Sequence, residues 1–244
     1  MNAAPWFPAY VLHARAYRET SVLVDFFVPD YGRVSAIARG ARRKGQHMPC
    51  VFQPYFLQLA GHGELRAVAA LESTAPALAL QGGALFSGLY VNELLVRLLP
   101  RELPQPELFV AYAGALGALS ELQAANADDI APILRQFERQ LLDAMGQWAS
   151  NTVAADSDTP LLPDQYYQYY PEHGWLPARM GQRGACLGAD ILAVDAEDLS
   201  TPTRMRLAKV LYRSALQPLL GDKPLKSRDL FAALQESAKP ENAS

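Results

Sequence analysis

The sequence predicts an α+β fold, in which a small N-terminal β-barrel is followed by an α-helical domain. Within the first 75 residues, apolar and polar side chains alternate with the two-residue period of β-strands. From about residue 83 onward, apolar residues recur with the period of an α-helix instead. Half of the 244 residues are apolar, which is enough to bury a sizeable core in one or two domains.

Five short strands are predicted in the barrel, over residues 9–15, 21–28, 33–39, 55–60 and 64–71. Residues 29–32 and 61–63 separate two pairs of them with the proline and glycine residues that tight turns favour. Five strands without a helix-length pattern between them are typical of a small closed barrel of the OB-fold type. Such a barrel hides its strand edges and leaves one face for a strand of nucleic acid.

Three helices are predicted after the barrel. The first extends from about residue 83 to Leu99, and Pro100 ends it. Its periodic pattern places Leu85, Leu89, Asn92, Val96 and Leu99 on roughly one face. The second helix extends from Pro106 to about Leu122. The third covers residues 130–148, and its apolar stripe consists of Ile133, Leu134, Phe137, Leu141, Leu142, Met145 and Trp148.

Two more helices are predicted near the C-terminus. Thr201 is expected to cap a helix that begins at Pro202, runs to about Leu219 and ends before Gly221. Ser227 is expected to cap a short helix over residues 228–235, and the tail after Ser237 is expected to fray.

The predicted domain boundary lies where the apolar pattern changes from the strand period to the helix period. We expect an OB-fold domain over residues 1–78 and a helical domain over residues 79–244. The stretch near 150–200 is expected to be a small irregular insert in the helical domain. It combines a loop-like segment over residues 149–165 with a tyrosine-rich segment from Tyr166 to Trp175, whose tyrosines favour short strands or packing roles.

Composition favours a cytoplasmic protein. The sequence has no apolar run of about 18 residues, so no transmembrane helix is predicted and no membrane partner is expected. The first eight residues lack the basic and apolar pattern of a signal peptide. Cys50 and Cys186 are far apart and form no CxxC pair, which is typical of a reduced compartment.

Charge is distributed unevenly along the chain. Residues 1–70 hold eight basic and four acidic residues, a net charge of +4, and residues 101–198 hold five basic and fifteen acidic ones, a net charge of −10. Residues 204–228 hold seven basic residues and Asp222, a net charge of +6. Two basic blocks on either side of an acidic one indicate a molecule with a cationic face. The alternative is that these side chains only solvate the surface.

The sequence predicts no enzyme, metal site or cofactor. Its four histidines and two cysteines lack zinc-ligand spacing, and no G-x-S-x-G motif is present. Residues 40–45 are basic and flanked by glycine, but they lack the order of a P-loop. The adjacent acids at 128–129 and 197–198 are typical of helix starts or solvated loops rather than of a magnesium site.

The sharpest positive signal is the basic loop that follows the third strand. Arg39, Arg42, Arg43 and Lys44 lie beside or between Gly40 and Gly45. Cations in a loop of this kind can follow a phosphate backbone without reading sequence. Nearby Tyr17 and Tyr31 are candidates for stacking on bases. The alternative is a solvated loop with both tyrosines in the core.

The ordered set of local motifs resembles the RecO family of bacterial recombination mediators. The matching segments are Tyr17–Ser21, Tyr31–Val34, Ala38–Arg42, Gly88–Leu95, Glu107–Phe109, Leu134–Glu138 and Lys223–Phe231. The resemblance covers nearly the whole chain and is weakest over residues 149–200. Many members carry a four-cysteine zinc site in that region, where this chain has only Cys186, so it resembles the zinc-free branch.

The resemblance implies a non-enzymatic role in DNA repair and DNA recombination, in the RecFOR pathway. RecO proteins bind single- and double-stranded DNA, anneal complementary strands and engage the acidic C-terminal tail of single-strand-binding protein (SSB). With RecR they help to displace SSB and to load RecA, their indirect partner. A nucleoid location during repair is therefore expected. The alternatives from other classes are a protein-interaction scaffold and an RNA-binding OB protein of translation.

Candidate site residues fall into two sets. The residues expected to contact DNA are Arg15, Arg18, Arg33, Arg39, Arg42, Arg43, Lys44, Lys223, Lys226 and Arg228. By resemblance, Arg135 is the candidate for binding the carboxylate of the SSB tail, because it lies beside the apolar stripe of the third helix. The alternative is that Arg135 pairs with a nearby acid on the surface.

Overall fold

A computed structural model of the chain describes residues 4–122, 127–148, 152–171 and 173–230. The chain divides into two compact units, one within Met1–Ile130 and Asp222–Ser244 and the other within Ala131–Gly221. The predicted boundary near residue 78 stays a prediction. Some predicted features lie outside the described residues. They are residues 149–151 of the predicted loop, residues 231–235 of the last predicted helix and the tail after Ser237.

The first unit contains the predicted barrel. Its strands are β1 (Phe7–Tyr17), β2 (Ser21–Val28), β3 (Gly32–Ala38), β4 (Pro54–Ala60) and β5 (Leu65–Ser73). They close in the order β1-β2-β3-β5-β4, with β1 also paired to β4 and all pairs antiparallel except β3 with β5. The five-stranded, OB-like barrel and the α+β class are thus confirmed.

Alternation along the strands builds the barrel core. In β2 the side chains of Val22, Val24 and Phe26 are fully buried, whereas Leu23 and Asp25 between them are half-buried. β1 departs from strict alternation, because Val11 and Leu12 are both buried at an irregularity in the pairing with β2. A bulge of this kind turns one residue out of the ladder, so Leu12 offers its backbone to a helix instead.

Two helices cover this part of the chain, α1 (Gly82–Leu98) and α2 (Pro106–Glu121). A buried polar link joins them to β1. The Asn92 side-chain amide donates to the Leu12 carbonyl at 3.0 Å, and the Tyr112 hydroxyl donates to Asn92 Oδ1 at 2.7 Å. Because these groups are removed from water, their mutual hydrogen bonds hold both helices in place against the barrel.

The face of α1 that the sequence pattern marks is only partly the buried one. Asn92 and Leu99 are buried, but Leu85, Leu89 and Val96 are only half-buried. The buried face is rotated toward Gly88, where an added Cβ would lie 2.6 Å from Leu80 Cδ1. Because Gly88 has no side chain, α1 can pack closely against Leu80 and Phe52. The spacing of apolar residues does not predict such a close contact.

After the second unit, the chain returns to α1. Residues 226–230 are helical, so Ser227 lies inside this helix and the prediction that it caps the helix is wrong. The Glu93 carboxylate of α1 takes the capping role. It accepts from the backbone N–H of Lys226 and of Ser227, both at 2.9 Å, and from the Ser227 hydroxyl at 2.7 Å. Leu225 is buried beside this contact.

Glu93 is expected to make the stability of the first unit depend on pH. Partial burial would raise the pKa of this carboxyl, but the hydrogen bonds from residues 226–227 and the charge of Arg97 hold it below its ordinary value of 4.5. A lowered pKa in the folded state stabilises the fold above the ordinary value, and this stabilisation disappears as pH falls through the lowered value.

We therefore expect Glu93→Gln to lower the free energy of unfolding by about 1 kcal/mol at neutral pH, a modest value because solvent screens the half-buried carboxylate. As pH falls through the lowered pKa, the wild-type carboxyl becomes protonated and resembles the amide, so the difference should shrink toward zero. Urea denaturation of both proteins over a pH series from neutral into acid checks this. A difference that persists in acid would contradict it.

The second unit contains most of α3 (Ala127–Ala144), a small sheet, α4 (Gly188–Asp195) and α5 (Pro202–Leu220). α3 ends before its predicted end at residue 148, because the chain turns at Gly146 with φ of 64°. Trp148 follows the helix, and its ring packs edge-on against Tyr212 at 5.0 Å.

The predicted start and end of α5 are confirmed. The Thr201 side chain accepts a hydrogen bond from the Arg204 N–H, and Gly221 follows the last turn.

The tyrosine-rich segment is more regular than predicted. It contains β6 (Tyr166–Tyr170) and the start of β7 (Gly174–Ala178), which form an antiparallel sheet with the later strand β8 (Ala185–Leu187) in the order β7-β6-β8. Trp175 and Tyr167 are buried, and Tyr169 packs against Trp175 at 5.2 Å between ring centroids. Aromatic pairs across neighbouring strands stabilise short sheets, which accounts for the order found here.

Helices that combine the length and apolarity required to cross a bilayer are absent from the described part of the chain.

Candidate nucleic-acid interface

The basic loop after β3 is held by backbone contacts while its cations face solvent. The Arg42 N–H donates to the Thr20 carbonyl at 3.0 Å, which ties the loop to the β1–β2 turn. Inside the loop, the Arg43 N–H donates to the Gly40 carbonyl at 2.9 Å. Arg39, Arg42, Arg43 and Lys44 are all exposed. We call Arg18 and these four residues the loop patch.

Arg18 joins the loop patch through Arg42. A guanidinium nitrogen of Arg42 donates to the Arg18 carbonyl at 3.3 Å, and the Arg18 guanidinium lies 5.3 Å from the centre of the Tyr17 ring. Arg18 has φ of 53°, so the tight β1–β2 turn places it in a conformation that few side chains adopt. Arg15 is exposed on the neighbouring part of β1. The structure therefore gathers cations from two separate turns.

The two candidate stacking tyrosines differ in their environment. Tyr17 is half-buried, with Arg18 near its ring. Tyr31 packs edge-on against Phe7 at 5.1 Å, and the Arg66 guanidinium lies 4.6 Å from its ring centre. Tyr31 thus belongs to the barrel packing, as the alternative interpretation expected.

Arg33 is the least exposed of the predicted barrel cations. Its side chain is half-buried, and Nε has no hydrogen-bond partner among the described residues. Burial and the charge of Arg101 lower the pKa of Arg33, while Asp25 acts in the opposite direction. Arg101 is exposed and was not among the predicted site residues. Arg101 lies in the connection between α1 and α2. The pattern of apolar and polar residues does not predict that this connection contacts β3.

The basic block over residues 204–228 is divided by the structure. Its part up to Arg213 belongs to the second unit, and residues 223–228 belong to the first. Lys223 and Lys226 are exposed, whereas Arg228 is half-buried, with its guanidinium 5.3 Å from the Tyr90 ring centre. All ten predicted DNA-contacting residues therefore lie in the unit that contains the barrel.

Arg135 is buried rather than placed at a rim. Its side chain is 5% exposed and forms a 2.6 Å ion pair with Glu138, whose side chain is 0% exposed. Arg135 Nε has no hydrogen-bond partner in the described ranges. The expected surface pairing is thus replaced by a buried pair, and removal of either partner would leave a buried charge without this ion pair.

A groove in the second unit has the features that were expected around Arg135. It has a volume of about 620 Å³ and lies between β6, β8 and α5. Apolar lining comes from Tyr169, Trp175 and Val210, and Val210 is 61% exposed. Arg206 also lines the groove.

The charge of the groove depends on which acids are already paired. Asp190 lines it but is paired with Arg204 at 3.1 Å. Arg206 is exposed and makes no ion pair within the described chain. A single uncompensated cation therefore borders an apolar groove. The sequence around Arg206 does not predict this groove, because the residues of the opposite wall lie some 40 residues earlier in the chain.

Ser35, Asp25 and His13 have the residue types of a hydrolase triad but not its order of contacts. The Ser35 hydroxyl donates to Asp25 Oδ1, and His13 Nδ1 lies 4.0 Å from Asp25 Oδ2. The acid thus stands between the serine and the histidine, so the histidine cannot take the serine proton as a general base does. Among the described residues, no three His, Cys, Asp or Glu side chains cluster in a geometry that would hold a metal ion.

Comparison with known families decides the relationship. Residues 1–75 match the sequence profile of Recombination protein O N terminal, and residues 80–228 match that of Recombination protein O C terminal. The chain belongs to the RecO family. The N-terminal match covers all five barrel strands, and the C-terminal match ends at Arg228. The segment that returns to Glu93 therefore lies within the region shared by RecO proteins.

Relatives in this family are similar along almost their whole length. The DNA repair protein RecO of Pseudomonas aeruginosa strain LESB58 is 46% identical over 230 residues, which cover 94% of this chain and 96% of the relative. That of Pseudomonas putida strain W619 is 47% identical over 224 residues, or 92% and 96%. That of Actinobacillus pleuropneumoniae serotype 7 strain AP76 is 38% identical over 232 residues, or 94% and 95%.

Proposed function

We propose that this protein is a DNA-binding mediator of DNA repair and recombination that anneals complementary strands without catalysing a covalent reaction. The observation that carries the proposal is the loop patch, in which exposed cations from two turns meet on an OB-like barrel. Family membership supports a role in repair, because the relatives are named as DNA repair proteins.

Charge neutralisation is the proposed mechanism of annealing. Two complementary strands repel each other through their phosphates, and bound cations reduce this repulsion while releasing counterions. The loop patch supplies five cations without an acidic residue in the loop itself, and Lys223 and Lys226 add exposed charge in the same unit. Contacts of this kind are made to phosphates, so binding should be independent of sequence and fall steeply with salt.

Annealing of SSB-coated complementary strands over a salt series tests this function. We expect annealing at low salt that declines as salt increases. A folded wild-type protein that neither anneals these strands nor binds single-stranded DNA would overturn the proposal. Retention on a single-stranded DNA resin separates it from the scaffold alternative, which requires no retention. A preference for RNA over DNA of the same sequence would favour the translation alternative.

The second unit is proposed to hold the acidic C-terminal tail of SSB. Such a tail needs an apolar pocket with a cation beside it for the terminal carboxylate. The groove beside α5 offers both, with aromatic residues from the small sheet on one wall and Val210 and the cation Arg206 from α5 on the other. Displacement of SSB and, together with RecR, loading of RecA would then follow from simultaneous contact with the DNA and with the tail.

Variants of the groove provide a prediction. Arg206→Ala is expected to weaken binding of an SSB-tail peptide about tenfold, the loss of one charge-assisted hydrogen bond, and to leave binding of naked DNA unchanged. Fluorescence anisotropy with the labelled peptide measures the effect.

Arg135→Ala serves as the comparison, because Arg135 remains a proposed carboxylate-binding residue. That variant leaves Glu138 buried without its partner, so we expect it to lower the melting temperature. Arg206→Ala should not do so, since its side chain is exposed. Unchanged tail binding in Arg206→Ala, combined with a loss in folded Arg135→Ala, would move the site from the groove to α3.

A further inference from the structure

A second cationic site lies on the barrel, apart from the loop patch. Its two members are Arg33 at the start of β3 and Arg101 in the connection between α1 and α2. The Arg33 N–H donates to the Pro100 carbonyl at 3.1 Å, and the backbone of Arg101 bridges to that of Gly32 and Arg33. Backbone contacts, not attraction between side chains, thus hold these arginines together.

Gly32 is what allows this approach. It has φ of 63°, and an added Cβ would lie 2.5 Å from the Leu103 carbonyl oxygen and 2.7 Å from that of Pro100. The Gln105 N–H donates to the Pro29 carbonyl at 2.7 Å and fixes the far end of the same connection. The connection is therefore seated on the β2–β3 hairpin at several points.

The acids around this pair are largely engaged elsewhere. Asp25 accepts from Ser35 and faces His13, although its charge also reaches Arg33. Glu102, next to Arg101 in sequence, forms an ion pair with Arg66 at 2.5 Å. Arg101 itself has no side-chain partner in the described part of the chain. The backbone bridge joins the two residues, and the charge of Arg101 reaches the Arg33 guanidinium, so these like charges repel each other with incomplete compensation.

We propose that Arg33 and Arg101 together bind one backbone phosphate of the DNA strand that the barrel carries. Guanidinium groups match phosphate oxygens in geometry, and a shared phosphate would relieve the repulsion between the two cations. This inference rests on the proposed function, since it names further contacts for the same DNA.

The path of β3 favours a nucleic acid over an acidic protein as the ligand. Arg33 lies near the start of β3, and Arg39 directly follows its last residue. Val34, Ala36 and Ala38 belong to the barrel core, so the alternate residues of β3, Arg33 among them, lie on its outer face, where Ser35 is buried against Asp25. At 3.3 Å per residue the two arginines are about 20 Å apart, which lies within the length of single strand that an OB fold covers.

The test is a double-mutant cycle on DNA affinity. Arg33→Gln, Arg101→Gln and the double variant are titrated against a labelled oligothymidine of about 20 nucleotides, which exceeds the site of one OB fold. We expect Arg101→Gln to weaken binding about fivefold at low salt and to reduce the slope of log K against log salt by up to about 0.7. The double variant should lose less than the product of the single effects, because both residues hold one phosphate.

Arg183→Gln is the matched control, because Arg183 is also exposed but belongs to the second unit. It should bind as the wild type does. Arg101→Gln removes only an exposed side chain, and a melting temperature at least equal to that of the wild type confirms its fold. Unchanged affinity of Arg101→Gln, or single effects that simply multiply, would overturn the shared phosphate site.

The outcomes also separate this inference from the proposed function. A wild-type protein that does not bind DNA contradicts both. Wild-type binding that Arg101→Gln leaves intact contradicts only the second site. Loss of SSB-tail binding in Arg101→Gln, with normal DNA affinity, would assign the pair to an acidic protein partner and overturn the proposal.

Discussion

Single-stranded DNA should bind roughly a hundredfold more weakly at low salt when Arg39, Arg42, Arg43 and Lys44 are all replaced by glutamine, because up to four phosphate contacts are lost. Each lost contact removes about 0.7 from the slope of log K against log salt, so the slope should fall by up to about 3. Fluorescence anisotropy between roughly 50 and 200 mM salt measures both quantities. The loss should be equal for oligonucleotides of different sequence, since phosphate contacts do not read bases.

Strand annealing should decline in parallel with this loss. The backbone contacts of the loop, such as that between the Arg42 N–H and the Thr20 carbonyl, do not depend on side-chain charge. The quadruple variant should therefore keep the wild-type melting temperature. Arg179→Gln/Arg183→Gln removes exposed charge from the second unit and serves as a control with normal affinity. Full annealing by a quadruple variant that no longer binds single strands would show that charge neutralisation is not the mechanism.

Gly32→Ala is expected to lower the free energy of unfolding by about 3 kcal/mol, the combined cost of a strained backbone and a steric overlap. The left-handed φ disfavours any side chain here, and the added Cβ would overlap the carbonyl oxygens of Leu103 and Pro100. Relief of the overlap requires the connection between the helices to move away from β3. Urea denaturation measures the loss as a lower midpoint at constant slope.

Two glycines separate the contributions to this effect. Gly63→Ala adds a side chain at φ of 87° with no atom within 4 Å of its Cβ, so only backbone strain is introduced. Gly114→Ala lies in α2 with similarly open space, and alanine there should stabilise the helix by up to about 1 kcal/mol. If Gly32→Ala costs no more than Gly63→Ala, the close approach to residues 100–103 does not constrain the fold.

The proposed phosphate site and Gly32 are linked by this geometry. In Gly32→Ala the movement of residues 100–103 would carry Arg101 away from Arg33. DNA affinity should then fall even in molecules that remain folded, whereas Gly63→Ala should retain normal affinity.

Features with a local cause were predictable from sequence. Alternation in β2 and the turn chemistry of residues 29–32 led directly to the barrel strands. The cap at Thr201 and the stop at Gly221 defined α5 because both act within one turn of the helix. The basic loop was recognisable because its cations are adjacent in sequence. The sequence by itself therefore determined the fold class, most of the elements and the basic loop after β3.

Only the tertiary structure decided the features that depend on distant segments. Arg101 meets Arg33 because a connection some 70 residues later seats on Gly32. Ser227 is satisfied by Glu93 instead of capping its own helix. Arg135 and Glu138 are neighbours on α3, but only folding buries their ion pair. Periodicity and propensity describe neighbours along the chain, whereas these contacts depend on which surfaces meet after folding. For that reason the sequence predicted the basic loop after β3, but it did not predict that Arg33 and Arg101 lie together.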